Sequence, residues 1–179
     1  AMTANPRPDP RHRIEHAANQ EAGDTTPEQL DRMKRLGVIP VPTGAWIYLG
    51  QAYTTQSDVP FIYRTLLDRG HRPPGNSDSL GSMPESTNPF FSMWAMVTRM
   101  TRTGERMAPE QAITIMEAIR GYTIDGAYSG FEENSRGSIE PGKLADLVVL
   151  SDDPLTVAPD ALKDIRPVMT MVGGNVREH

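Results

Sequence analysis

Short apolar runs alternate with helix-length amphipathic runs as far as about residue 136, and after that only strand patterns remain. This order is the strongest constraint on the fold, because alternating strands and helices layer helices against a sheet. The terminal strand-only stretch predicts a small separate β section. The chain has 179 residues, enough for a real core but short of the roughly 250 of a closed eight-stranded α/β barrel.

The local signals are specific. His12-Arg13-Ile14-Glu15-His16-Ala17 shows a strand-like alternation. Thr26-Pro27-Glu28-Gln29 predicts a capped helix start, and Gly37 predicts its stop after Leu36. Val38 to Pro42 reads as a buried strand whose two prolines disfavour a central place. Trp46 to Gln51 is ambiguous. Pro60 to Gly70 reads as a helix, 71–89 as a long loop, Phe90 to Thr103 as a helix, and Pro109 to Gly121 as another. Tyr122 to Tyr128 suits a further short helix. Glu140-Pro141-Gly142-Lys143 fits a type II turn. It precedes the clearest strand, Leu147 to Leu150. Val168 to Val172, Gly173-Gly174 and Asn175-Val176-Arg177 together suggest a hairpin. Residues 1–10 are Pro-rich and polar, and read as a flexible lead-in.

Composition narrows the function. The net charge is −5, which argues against a nucleic-acid or anionic-membrane partner. There is no cysteine, so disulfides and thiolate–zinc sites are excluded. No apolar stretch is long enough to span a bilayer, and a cytoplasmic location is the expectation.

Two residues stand out as chemistry. His16 ends the first strand-like run, where a histidine can ligate metal or act as a base; a structural or exposed histidine is the plainer alternative. Asp78, in Asn76-Ser77-Asp78-Ser79, can ligate a cation or take a proton from water, or simply shape an Asx-turn. His12 is four residues from His16, about 13 Å along a strand, too far to share an ion. Asp146 precedes a strand and reads as a turn residue. His71 and His179 have no supporting context.

These same segments carry a resemblance. Arg11-His12-Arg13-Ile14-Glu15-His16-Ala17, Asn76-Ser77-Asp78-Ser79 with Asn88-Pro89, Pro109-Glu110-Gln111-Ala112, Tyr122-Thr123 and above all Gly137 to Leu150 resemble the amidohydrolase superfamily, in its YtcJ-like amidohydrolase 3 branch. The resemblance implies the C-terminal part of a (β/α)8 TIM barrel over residues 11–136, strands five to eight with their helices, followed by strands of a small β-sandwich over 137–179. It implies a metal-dependent hydrolase of non-peptide carbon–nitrogen bonds. By the resemblance, His16 matches a metal ligand at the end of strand five. Asp78 matches the strand-eight aspartate, which serves both the metal and the attacking water. The divalent metal expected is zinc, or none in this chain.

The sequence also departs from that pattern. The family's first-strand His-x-His pair and a strand-four Lys or Glu ligand would fall before residue 1. The region taken as strand six, Val38 to Ala45, holds no histidine. The expectation is therefore an incomplete active site, with a small amide-like substrate and with a second copy or an upstream partner chain covering the open edge. The alternative readings are a catalytically inactive fragment serving as an assembly module, and a small-molecule binding module.

Overall fold

The computed structural model describes residues 7–18, 26–52, 61–78 and 83–178. The first six residues, His179 and the predicted helix start at Pro60 lie outside them.

Strand β1 (Arg13–Glu15) pairs in parallel with β2 (Ile39–Val41), Ile14 opposite Pro40. Helix α1 (Pro27–Arg35) connects them and packs on β2. Its start follows the sequence rule: the Thr26 side chain accepts from the Gln29 amide, and the Gln29 side chain accepts from the Thr26 amide. Two orphan donors of the first turn are thereby satisfied. Gly37, at φ +65, turns the chain out of the helix, a conformation that favours glycine.

After β2 the ambiguous stretch winds as a 3-10 helix, Gly44–Ala52, kinked at Gly50. Helix α2 (Tyr63–Asp68) is shorter than the predicted helix, and the residues of 71–78 form neither helix nor paired strand. Between residues 11 and 136, the paired strands among the described residues are β1 and β2. Pro73 and Pro74, within 71–78, carry no N–H to give a ladder.

Helix α3 (Pro89–Thr98) is capped by the Asn88 side chain, which accepts from the Phe90 amide. It was expected to run to Thr103 with one apolar face, but it stops earlier and is buried almost throughout. Arg99 ends it in the left-handed region, φ +59. The Arg99 guanidinium donates to the carbonyls of Met107 (2.8 Å) and Phe61 (3.0 Å), which holds the turn. Burial pulls the Arg99 pKa down to about 10.

The helix expected from Pro109 divides in two. A single 3-10 turn covers Pro109–Gln111, and α4 (Ile115–Tyr122) follows. The sequence carried a signal for the true start, Thr114-Ile115-Met116-Glu117, which forms a complete capping box. Helix α5 (Ile124–Ser129) comes next.

The last section is an antiparallel sheet of β3 (Leu147–Leu150), β4 (Pro167–Val172) and β5 (Asn175–Glu178), in order β3-β4-β5. Both glycines of the Gly173-Gly174 turn have positive φ, +54 and +83, as a two-residue hairpin requires. Asp146 is a turn residue as expected: its carboxylate accepts from the Gly173 amide at 2.8 Å. The 3-10 helix Pro159–Asp164 was not foreseen. It packs on α3 and delivers Leu162 and Ile165 into the same core as Trp94, Phe91 and Ile47.

Candidate functional site

His16 follows directly on β1, with its backbone N–H donating to the Val41 carbonyl at 2.9 Å. That bond carries the parallel pairing one residue past the strand, and the chain then turns out with His16 at φ +63. Asp78 also has positive φ, +43. Histidine and aspartate are among the residues that tolerate this region best, and such backbone is common where function fixes a side chain.

Three chain segments meet around His16. The His16 ring lies parallel to Trp46, centroids 4.9 Å apart and planes 13° apart. Its Nδ1 is 3.2 Å from Thr43 Oγ1. The Thr43 hydroxyl donates to Asn76 Oδ1 at 3.2 Å, and Asn76 Nδ2 donates to the Pro42 carbonyl at 2.8 Å. Asn76 stands two residues before Asp78.

Buried Tyr63 and half-buried Tyr122 brace the group. The Tyr63 hydroxyl donates to Pro42 O (2.9 Å) and the Tyr122 hydroxyl to Asn76 O (3.1 Å). Burial pushes the Tyr122 phenol up to about 12 and raises Tyr63 well above its usual value, so both remain donors at neutral pH. Gly75 allows the close approach: a Cβ there would sit 2.5 Å from the Tyr122 ring.

His16 and the Asp78 segment are thus joined through Thr43 and Asn76. His12 is exposed and precedes β1. His71 is buried elsewhere, its pKa lowered first by burial and then by Lys34. Thr43 and Trp46 were not singled out from the sequence, and Asn76 and Tyr122 only as parts of motifs. Hydroxyl and amide residues are common in loops, and nothing in their spacing announced a network.

Among the described residues, no three His, Asp or Glu side chains cluster as a metal would need. His16 and Asp78 suit a divalent metal in kind, an ordered imidazole and a carboxylate. A catalytic zinc takes about three protein ligands, so this pair would be part of a larger set.

The sequence profile of the Amidohydrolase family matches residues 1–177, and the chain belongs to that family. It is 35% identical over 173 residues to an N-substituted formamide deformylase of Arthrobacter pascens, covering 92% of this chain and 30% of that protein. It is 29% identical over 119 residues to a Bacillus subtilis (strain 168) protein assigned as amidohydrolase YtcJ, covering 65% of this chain and 22% of the other. The chain therefore spans less than a third of the length of these relatives. Among solved structures, an uncharacterized metal-dependent hydrolase from Pyrococcus horikoshii OT3 superposes with TM-score 0.68 at 24% identity, over 83% of this chain and 30% of that one. A Xaa-Pro dipeptidase gives 0.65 at 20%, over 94% and 40%. The shared fold is mixed α/β, that of the amidohydrolase barrel proteins. No helix among the described residues is long and apolar enough to cross a membrane.

Proposed function

We propose that this chain is the C-terminal portion of a metal-dependent hydrolase of non-peptide carbon–nitrogen bonds, contributing His16 and Asp78 to its active site. The observation that carries the reading is the His16–Thr43–Asn76 chain of contacts, which ties the segment ends bearing both residues together. In this reading residues 11–136 belong to the barrel and 137–179 to the β-sandwich.

The strand count supports a revised register. β1 and β2 alternate with α1 and α2, and the unpaired segment 71–78 stands where a next strand would follow. If Asp78 closes the eighth strand position, β2 is the seventh and β1 the sixth. His16 then fills the sixth-strand histidine position, and the absence seen at Val38 to Ala45 ceases to count against activity. The matched relatives are named as hydrolases, which does not favour an inactive module.

The remaining ligands of the family would come from chain outside this sequence. The small sheet agrees with that, since Leu147, Val149, Met169, Met171 and Val176 share a face by register, and Val149 and Val176 are exposed. An apolar face of this kind suits further strands of the same polypeptide or a second subunit.

When bound, a divalent metal, zinc by family expectation, would activate water and polarise the substrate carbonyl. This chain's own part is to hold the His16 imidazole flat against Trp46 and to present the Asp78 carboxylate for the proton of the attacking water. The formamide deformylase relative suggests a small amide, with N-substituted formamides the first to try. Metal analysis and formate release on the protein with its upstream region test this. Bound metal is expected in the parent and at least a tenfold loss of turnover in Asp78→Asn. Metal content unaffected by His16→Gln, with turnover intact, would remove His16 from the site.

A further inference from the structure

We infer that Asn76 and Thr43 are positioning residues that fix the His16 proton on Nδ1, so that the Nε2 lone pair is the one presented to a metal. The inference adds a role for residues beyond the two proposed ligands, and its link to metal rests on the function proposed above.

Hydrogen-bond polarity fixes each partner in turn. The Pro42 carbonyl can only accept, so the Asn76 side chain must place its NH₂ there, at 2.8 Å. That orientation turns Asn76 Oδ1, an acceptor, toward Thr43 at 3.2 Å. The Thr43 hydroxyl has one proton, and it is committed to Asn76. Toward His16 Nδ1, 3.2 Å away, Thr43 Oγ1 is therefore an acceptor. A neutral imidazole that donates from Nδ1 carries its lone pair on Nε2. Two side chains, Asn76 and Thr43, thus transmit the orientation of one backbone carbonyl to the histidine.

The geometry around the ring makes the arrangement hold. Trp46, only 8% exposed, covers one face of the imidazole in near-parallel contact. A half-turn of the ring would replace Nδ1 by a C–H opposite Thr43 and lose the bond. Thr43 itself is fully buried, and Tyr63 shares the Pro42 carbonyl at 2.9 Å. The relay is therefore anchored in the core while His16 remains exposed. Partners on the far nitrogen of a ligating histidine commonly set its tautomer in this way.

The test reads the tautomer directly. The protein with its upstream region, chelator-treated and labelled at its histidines, is examined by long-range proton–nitrogen NMR at about pH 8. The His16 signals are assigned by their loss in His16→Gln. The expected result is an Nδ1-protonated ring in the parent and in Thr43→Ser, and a shift to Nε2-protonation in Thr43→Val. An Nε2-protonated parent ring would overturn the inference, as would a Thr43→Val ring still protonated on Nδ1. Zinc titration of the same proteins separates this from the metal reading. Thr43→Val should bind zinc about 10–100-fold more weakly than Thr43→Ser. If the tautomer responds as stated but His16→Gln binds zinc like the parent, the relay stands and the metal assignment of His16 falls. If His16→Gln loses zinc while Thr43→Val keeps the parent tautomer, the reverse holds.

Discussion

Strands β2 and β3 are both short and apolar, Ile39-Pro40-Val41 and Leu147-Val148-Val149-Leu150, yet their surroundings differ. β2 is buried at every residue, while the two valines of β3 are exposed. Strand composition did not decide this. Helix α1 returns over β2, whereas β3 shares its ladder with β4 and keeps an apolar face open. The first region is closed by its own helix; the second meets the core at its inner edge, through Leu150, Val157, Leu162 and Ile165.

That inner edge gives the sharpest way to break the contrast. Ile165 is 1% exposed within the main core. Ile165→Ala should cost about 2–5 kcal/mol in denaturant unfolding, from lost burial plus the cavity left behind. Val149→Thr, on the open face, should stay within about 0.5 kcal/mol. If Ile165→Ala proves as mild as Val149→Thr, the C-terminal section does not share the core, and the distinction between its inner edge and outer face disappears.

The same contrast explains what could be read in advance. Features set by a few neighbouring residues were legible: the Thr26–Gln29 capping box, the Gly173-Gly174 hairpin, the type II turn at Pro141-Gly142, and Asp146 as a turn residue. Features set by distant contacts were not. Helix α3 stops at Arg99 because carbonyls of Phe61 and Met107 hold its guanidinium, and no local pattern encodes that. Pro109 offered a plausible helix start, but the Thr114–Glu117 box was the stronger one. At the site, His16 and Asp78 were marked by position and motif, while Thr43 and Trp46 gained meaning only when β1 and β2 came side by side.

A second prediction probes the first region. Gly75 donates its N–H to Gly121 O at 2.9 Å, and the Tyr122 ring lies where its Cβ would be. Gly75→Ala should destabilise by about 1–3 kcal/mol through overpacking. It should also displace the Tyr122 hydroxyl from Asn76, visible as a change in tyrosine ultraviolet absorbance near the high phenol pKa. Parent-like stability and an unshifted phenol titration would show that the segment carrying Asp78 tolerates more space than the structure allows.

The smallest expected effect concerns the join between the start of the chain and the loop after α5. Arg11 donates to Glu133 and to the Tyr128 carbonyl, with its guanidinium 3.8 Å from the Tyr128 ring centroid. The hydrogen bonds from Arg11 hold the Glu133 carboxyl below the usual carboxylate range. A carboxylate depressed in the folded state contributes stability that is fully present above its unfolded pKa, about 4.3. That contribution is lost as pH falls through the lower folded value. Arg11→Met should therefore lower the melting temperature at neutral pH, and part of the difference should close as the pH drops below about 4. The stacking on Tyr128 does not titrate there, so a residual difference should persist in acid. Glu133 is partly solvated, its side chain 23% exposed, which keeps the titrating part small. A parent-to-variant difference constant across the acid range would assign the whole role of Arg11 to its carbonyl bond and ring contacts, leaving both its carboxylate partners, Glu133 and Asp9, as bystanders.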